Sequence, residues 1–293
     1  MNFFLELVTA GIALGAIYAL VAQGYNVTFW AVRVVNFGHG SFMMMAVMVA
    51  LAVVNQAVPL WLAVLAGIAV SAAMAYVLEL VAVRPLMRAR LGMGWVVSTL
   101  GAGIVLQAVA TDLWGTNTRA FPPILFESTD YLRVFGVQLS GQHLLAFTAA
   151  LVVMVLFELG IRGTLLGKAM RATAADPDCA RTMGINTRWM ISLAFILSGV
   201  LAGLAGILIA PLTGIDPAFG LELMIKGFVA AVIGGMGNSA GALIGGIFVG
   251  LLELLVGGYI SSGARNGVVF SILILVLAVR PQGLLGKRVE VKV

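Results

Sequence analysis

The chain has 293 residues, 61% hydrophobic and only 10% charged, with a formal net charge of +5 and a mean hydropathy of +1.10. A soluble domain carries about 25% charged residues, so this balance excludes one and identifies an integral membrane protein. A single cysteine, Cys179, excludes an internal disulfide, and two histidines far apart, His39 and His143, leave no metal-ligand cluster.

The first segment, MNFFLELVTAGIALGAIYALVA, lacks a basic start, carries Glu6 and runs on at full span length, which predicts a retained first span and not a cleaved signal. With about 20 residues needed per span, helices are predicted near 5–28, 41–54, 60–82, 93–113, 143–160, 189–210, 222–236, 240–258 and 267–279. Those at 41–54, 222–236 and 267–279 are short, and are expected to be tilted, re-entrant or broken. Thirty-six glycines suit close helix packing in lipid, and the alternating segments of an outer-membrane barrel are absent, so the fold class is all-α, a polytopic helical bundle.

Two stretches interrupt the helical pattern. AVRVVNFGHGSF, from Ala31 to Phe42, sets Asn36, His39 and Ser41 among Gly38 and Gly40, and IGGMGNSAG, from Ile233 to Gly241, holds Gly234, Gly235 and Asn238. Unwound backbone at membrane depth is tolerated beside a cavity or inside protein, so both stretches are candidates for a translocation pathway, as are the polar Ser98 and Thr99. For Asn36 and His39 a capped turn outside the membrane is an equal alternative. Gly241, Gly245, Gly246 and Gly250 are better read as a packing ridge. Gln23, Asn26 and Gln107 are uncharged polar residues that either line a path or bond between helices.

Between the fourth and fifth spans, Trp114 to Gln142 forms the longest segment on its side. Pro122, Pro123 and YLRVFGVQLS, with Gly136 between two strand-like pieces, predict a small hairpin cap that either packs on helix ends or faces a partner. Glu158 with Arg162, and Glu222 with Lys226, have the spacing of i,i+4 helix pairs. Glu253 has no helical partner, and lies close enough to a span end to reach the headgroups.

The longest polar interruption, RGTLLGKAMRATAADPDCARTMGINTRWM, covers residues 162–190. Asp176 followed by Pro177 is a strong helix start, because the carboxylate caps free amides and proline at the first helical position sacrifices no hydrogen bond. Asp178 at the positive end, Arg181 near the negative end and Gly184 as the left-handed stop predict a short helix ending at about Met183. Cys179, Ala180 and Met183 share one face as a small apolar patch, suited to docking in a groove or to lying on headgroups. GTLLGKA, Gly163 to Ala169, has three residues between its glycines where a P-loop needs four, and Ala169 where a magnesium-binding hydroxyl belongs, so it is no nucleotide site.

With this loop cytoplasmic, that side collects Arg33, Arg84, Arg88, Arg90, Arg162, Lys168, Arg171, Arg181, Arg188, Arg280, Lys287, Arg288 and Lys292, leaving Arg119, Arg133, Lys226 and Arg265 outside. The positive-inside rule then sets the N-terminus outside and the 280–293 tail inside, which accounts for the net charge without any nucleic acid.

Four segments, VVNFGHGSFMM at 34–44, GKAMRATAADPDCARTMGIN at 167–186, GMGNSAGALIGGIFVG at 235–250 and RPQGLLGK at 280–287, together resemble the permease of the branched-chain amino-acid family of ABC importers, which also serves short amides and urea. The resemblance spans nearly the whole chain. It implies a type II-like permease as a single domain over 1–293, partnered by a second homologous permease, two ATPase subunits and an external solute-binding protein in the lipid bilayer. It also implies that the segment from Ala172 to Gly184 seats in a groove of the ATPase, with Asp176, Asp178, Cys179, Arg181 and Met183 on it. The general importer signature has Glu-Ala-Ala ahead of a glycine, and Ala174, Ala175 and Asp176 follow the family's form instead. No enzymatic residue set or cofactor site is present, and few charges fall inside the spans, as suits a small neutral or zwitterionic solute and no ion relay. The competing expectation is a secondary transporter or channel that works without ATP.

Overall fold

Long runs of leucine, valine and alanine in lipid must pair every amide within the segment itself, which a helix does. The computed structural model of the chain describes residues 2–88, 94–126, 131–134 and 137–286. In order these form α1 (Asn2–Val32), α2 (His39–Val54), α3 (Leu60–Leu78), a π-helical turn (Glu79–Val83), α4 (Arg84–Arg88) and α5 (Gly94–Trp114). The strands β1 (Tyr131–Val134) and β2 (Val137–Ser140) follow, then α6 (Gly141–Arg162), α7 (Leu165–Ala175), α8 (Pro177–Thr182), α9 (Thr187–Thr213), α10 (Phe219–Gly234), α11 (Ser239–Tyr259) and α12 (Arg265–Val279).

Seven helical stretches among the described residues are long and apolar enough to cross a membrane: Phe3–Val32, Leu60–Met87, Gly94–Trp114, Gly141–Ile161, Thr187–Thr213, Ser239–Tyr259 and Ser262–Val279. The two short segments expected at 41–54 and 222–236 are α2 and α10, each of 16 residues. At 1.5 Å per residue each is about 24 Å long, less than the roughly 30 Å of a bilayer core. The third short segment gains a 3-10 turn at Ser262–Ala264 and reaches spanning length. The all-helical expectation therefore holds, with one hairpin in which Tyr131 pairs with Ser140 and Val134 with Val137. Residues 135 and 136, its expected turn, lie outside the described residues.

The chain divides into two compact units. One comprises residues 27–124 and 155–224, and its core is α2, α3 and α9. Small residues let these helices touch: a Cβ on Gly199 of α9 would stand 2.7 Å from the Ser71 carbonyl of α3, and the Ser71 hydroxyl donates to the Gly199 carbonyl at 2.6 Å. At one end of this unit the post-α5 segment is tied down, since Arg119 and Ile215 exchange backbone hydrogen bonds and Phe121 is buried in a cluster with Met48, Leu51 and Ile207. That part of the expected cap packs on helix ends.

The other unit comprises residues 1–26, 125–154 and 225–293. There α1 and α11 cross at glycines. A Cβ on Gly15 would lie 2.6 Å from the Ile247 Cα, and Gly250 of α11 abuts Gly11 and Gly15 of α1. Gly245 meets Ala230 and Gly241 meets Gly234 across the α10–α11 turn, so the four-glycine ridge serves helix packing.

Candidate functional site

The 162–190 segment folds into two short helices. In α8 the Asp176 carboxylate accepts from the amides of Asp178 and Cys179, both at 2.9 Å, with Pro177 at the first position. Met183 caps its C-terminal end and Gly184 follows at φ +82, as its chemistry predicts. The apolar face needs correction. Cys179 and Met183 are exposed, Met183 at 78%, but Ala180 points inward and is buried. Arg181 also does more than complement the helix dipole. Its guanidinium meets Asp178 at 2.9 Å and donates to the Thr187 hydroxyl at 3.1 Å, tying α8 to the start of α9.

Sequence pattern does not separate the preceding helix α7 from the loop. Thr164 caps it by accepting from the Gly167 amide, so Gly163 to Ala169 becomes a turn and a helix start, and Lys168 donates its amide to Thr164. Ala172 is half-buried, on α7, and Leu165 is 83% exposed. Leu165, Met183 and Trp189 thus present apolar side chains on this segment.

Beneath α8 lies an open cavity of about 880 Å³, lined by Glu79, Arg84, Thr173, Asp178, Arg181 and Arg188 among others. Glu79 is buried and holds Arg84 through two hydrogen bonds of 2.9 Å, and the Ser192 hydroxyl of α9 bonds to both. Five-residue spacing does not pair side chains on an α-helix. Here the π-helical turn, in which the Arg84 amide bonds to the Glu79 carbonyl, brings the two together.

Around the first break, Val34 to Gly38 lead back to α2 without helical bonding. Asn36 is buried and its side-chain oxygen accepts from the Gly38 amide at 2.9 Å. His39 is buried with its Nδ1 3.1 Å from the Ser198 hydroxyl of α9. Thr99 is buried too: its hydroxyl donates to the Trp95 carbonyl and accepts from the Phe37 amide. Ser98 is half-buried. Of these candidates Ser41 differs, because it lines a cavity of about 170 Å³ with Met44, Gly103, Gln107, Gly220 and Leu221. Its hydroxyl donates to the Gly103 carbonyl at 3.1 Å.

Around the second break, Asn238 caps α11 by accepting from the Gly241 amide, and its side-chain nitrogen donates to the Leu285 carbonyl at 3.0 Å. Gly235, at φ +100, lies against Gly286. Asn26 closes the turn from α1, accepting from the Gly237 amide at 2.8 Å and donating to the Asn238 carbonyl. Gly234, Gly235 and Asn238 are therefore bonded into a packed turn.

Two charge assignments change. Lys226 reaches across to Glu253 of α11 at 2.6 Å, a partner outside its own helix that the sequence pattern does not announce. Glu253 is 5% exposed and accepts from the Tyr18 hydroxyl at 2.8 Å, so it does not extend to the headgroups. Lys226 is likewise buried, and drops out of the count of charges flanking the spans. The pair expected between Glu158 and Arg162 rests on an Arg162 side chain outside the described residues.

A family model described as the branched-chain amino acid transport system / permease component matches residues 7–279. The chain is 31% identical over 297 residues to the high-affinity branched-chain amino acid transport system permease protein LivH of Escherichia coli K12, covering 97% of this chain and 96% of that one. It is 32% identical to BraD of Pseudomonas aeruginosa, also described as a high-affinity branched-chain amino acid transport system permease protein, with the same coverage. A probable branched-chain amino acid transport permease of Methanocaldococcus jannaschii is 28% identical over 91% of this chain and 88% of its own.

Proposed function

The chain belongs to the branched-chain amino acid transport permease family, and from that premise we propose that it is the membrane subunit of an ABC importer for branched-chain or closely related neutral amino acids. ATP is hydrolysed by separate subunits, an external solute-binding protein delivers the solute, and a second homologous permease completes the pathway.

The observation that carries the energy-coupling part of this reading is α8. A six-residue helix, capped at both ends and tied down by Arg181, ends on an exposed Met183, with Leu165 and Trp189 also exposed on the same loop. Such a helix is rigid enough to transmit a push, and its exposed apolar side chain suits a groove in an ATPase. The 162–190 segment is the cytoplasmic coupling loop, with Ala172, Asp176, Asp178, Cys179, Arg181, Met183 and Gly184 at or near the contact. Basic residues then set the N-terminus outside and the tail inside, and burial of Lys226 leaves only Arg119, Arg133 and Arg265 outside. ATP-driven closure of the ATPases moves α8, tilts the spans, and opens the pathway to alternate sides. The break from Asn36 to Ser41 borders that pathway.

Reconstitution tests this directly. Proteoliposomes holding this chain with its permease partner and ATPase subunits should take up labelled leucine only with ATP and binding protein together. Uptake by this chain alone, without ATP, would assign it to the secondary transporters instead.

A further inference from the structure

The cavity of about 170 Å³ in the unit comprising residues 27–124 and 155–224 lies where two short helices begin, α2 at His39 and α10 at Phe219, and Gly40 there touches Gly220. Its depth follows from α9. His39, next to the cavity, contacts Ser198, eleven residues from the start of α9, which is about 17 Å along a helix of about 40 Å. The two helix starts therefore meet well inside the span and not at its surface, in the setting where irregular backbone is tolerated beside a solute path.

Its lining is selective in kind. Phe37, Met44, Leu100, Ile104, Leu221 and Met224 make the apolar wall, and among the described residues only Ser41 and Gln107 add polar side chains, with no charge on the lining. A net-charged group would enter without a counter-ion, so the walls select against ions and favour an uncharged aliphatic group. At about 170 Å³ it exceeds the roughly 150 Å³ at which an apolar cavity takes up benzene, so it accommodates a valine, leucine or isoleucine side chain. The Ser41 hydroxyl gives its proton to the Gly103 carbonyl, which leaves its oxygen as an acceptor on the lining for an ammonium or amide donor.

We propose that this cavity is a solute subsite within the permease itself, taking the aliphatic side chain of a neutral amino acid between Met44, Leu100, Ile104 and Leu221, with Ser41 and Gln107 on its polar side. The proposal rests on the permease reading above. It adds a selectivity filter at membrane depth to whatever selection the binding protein makes.

The experiment uses the full chain in native membrane vesicles with its partner subunits, carrying Cys179→Ser and Ser41→Cys. A small water-soluble thiol reagent should label the introduced thiol, and leucine should slow labelling at concentrations roughly a hundredfold lower than glycine, the difference expected from burying an aliphatic side chain. Equal protection by leucine and glycine, or no labelling in any nucleotide state, overturns the subsite. In parallel, Ile104→Trp at the mouth should abolish leucine uptake, while Val105→Trp, on an equally exposed neighbour outside the lining, should not. Normal uptake with Ile104→Trp defeats the subsite and leaves the permease reading intact. Protection of the introduced thiol in vesicles that show no ATP-dependent leucine uptake supports the subsite and defeats the transport reading instead.

Discussion

Removing one partner of the Lys226–Glu253 pair should destabilise the chain far more than removing both. The two side chains are 7% and 6% exposed, 2.6 Å apart, and the second carboxylate oxygen is held by Tyr18, with the Lys226 ammonium 5.9 Å from the Tyr18 ring centre. Lys226→Met leaves the buried Glu253 carboxylate without its cation, and Glu253→Leu takes from the Lys226 ammonium its partner at 2.6 Å, each at a cost of about 3–5 kcal/mol. At 1.36 kcal/mol per tenfold, that raises the unfolding constant by about two to nearly four orders of magnitude. The double change keeps side-chain volume and removes both charges, so it should return to within about 1 kcal/mol of the starting protein or exceed it. Tyr18→Phe removes one hydrogen bond to a charged acceptor, about 1.5–3 kcal/mol. Reversible unfolding in mixed micelles of increasing dodecyl sulfate fraction, followed by circular dichroism, measures all four. If the double variant loses the sum of the two single losses, the residues act independently and the buried-pair argument fails.

Three further outcomes are expected. Met183→Asp, on the exposed side of α8, should insert and fold normally yet abolish solute uptake while the ATPases continue to turn over; retained uptake would remove α8 from the coupling path. Asp176→Ala deletes the cap over two amides and should weaken α8 by about 0.5–2 kcal/mol, read as faster tryptic cleavage after Arg181 in native membranes. Gly199→Ala drives a methyl into the Ser71 carbonyl and should lower stability by about 1–3 kcal/mol in the same micelle titration, against no measurable change for Gly101→Ala, where the added Cβ meets open space.

What is legible in the sequence is what local chemistry decides. Asp176, Pro177 and Gly184 act on the amides next to them, so they place α8 to within a residue without any tertiary contact. The apolar runs mark every span for the same reason, because lipid demands internal hydrogen bonding whatever the neighbours are. Pairings that cross between helices are illegible. Glu222 to Lys226 satisfies the i,i+4 rule, but nothing in that spacing announces that the lysine joins Glu253, 27 residues away on another helix. Glu79 and Arg84 leave no trace in the pattern because no α-helical spacing joins them, and nothing local announces a π-helical turn.

The breaks in the helical pattern fall between these cases, and they divide by what surrounds them. Both are visible as glycine and asparagine inside apolar sequence, yet they resolve differently. Around Asn238 the Gly237 amide donates to Asn26 and the Gly241 amide to Asn238, while the Leu284 and Leu285 amides donate to the Ile233 and Gly234 carbonyls, so the break is consumed in packing. Around Asn36 the local bonds also close, but the helix that follows starts beside the start of another short helix, and the two do not fill the space between them. A helix of about 24 Å cannot cross the bilayer core, so one of its ends sits at depth, and where the starts of α2 and α10 meet at Gly40 and Gly220 the side chains of Met44 and Leu221 line the cavity beside them. The shortness of α2 and α10 is readable in the sequence as two runs too brief to span, and the absence of charge on the wall of the cavity at their starts is what fits it to a neutral solute.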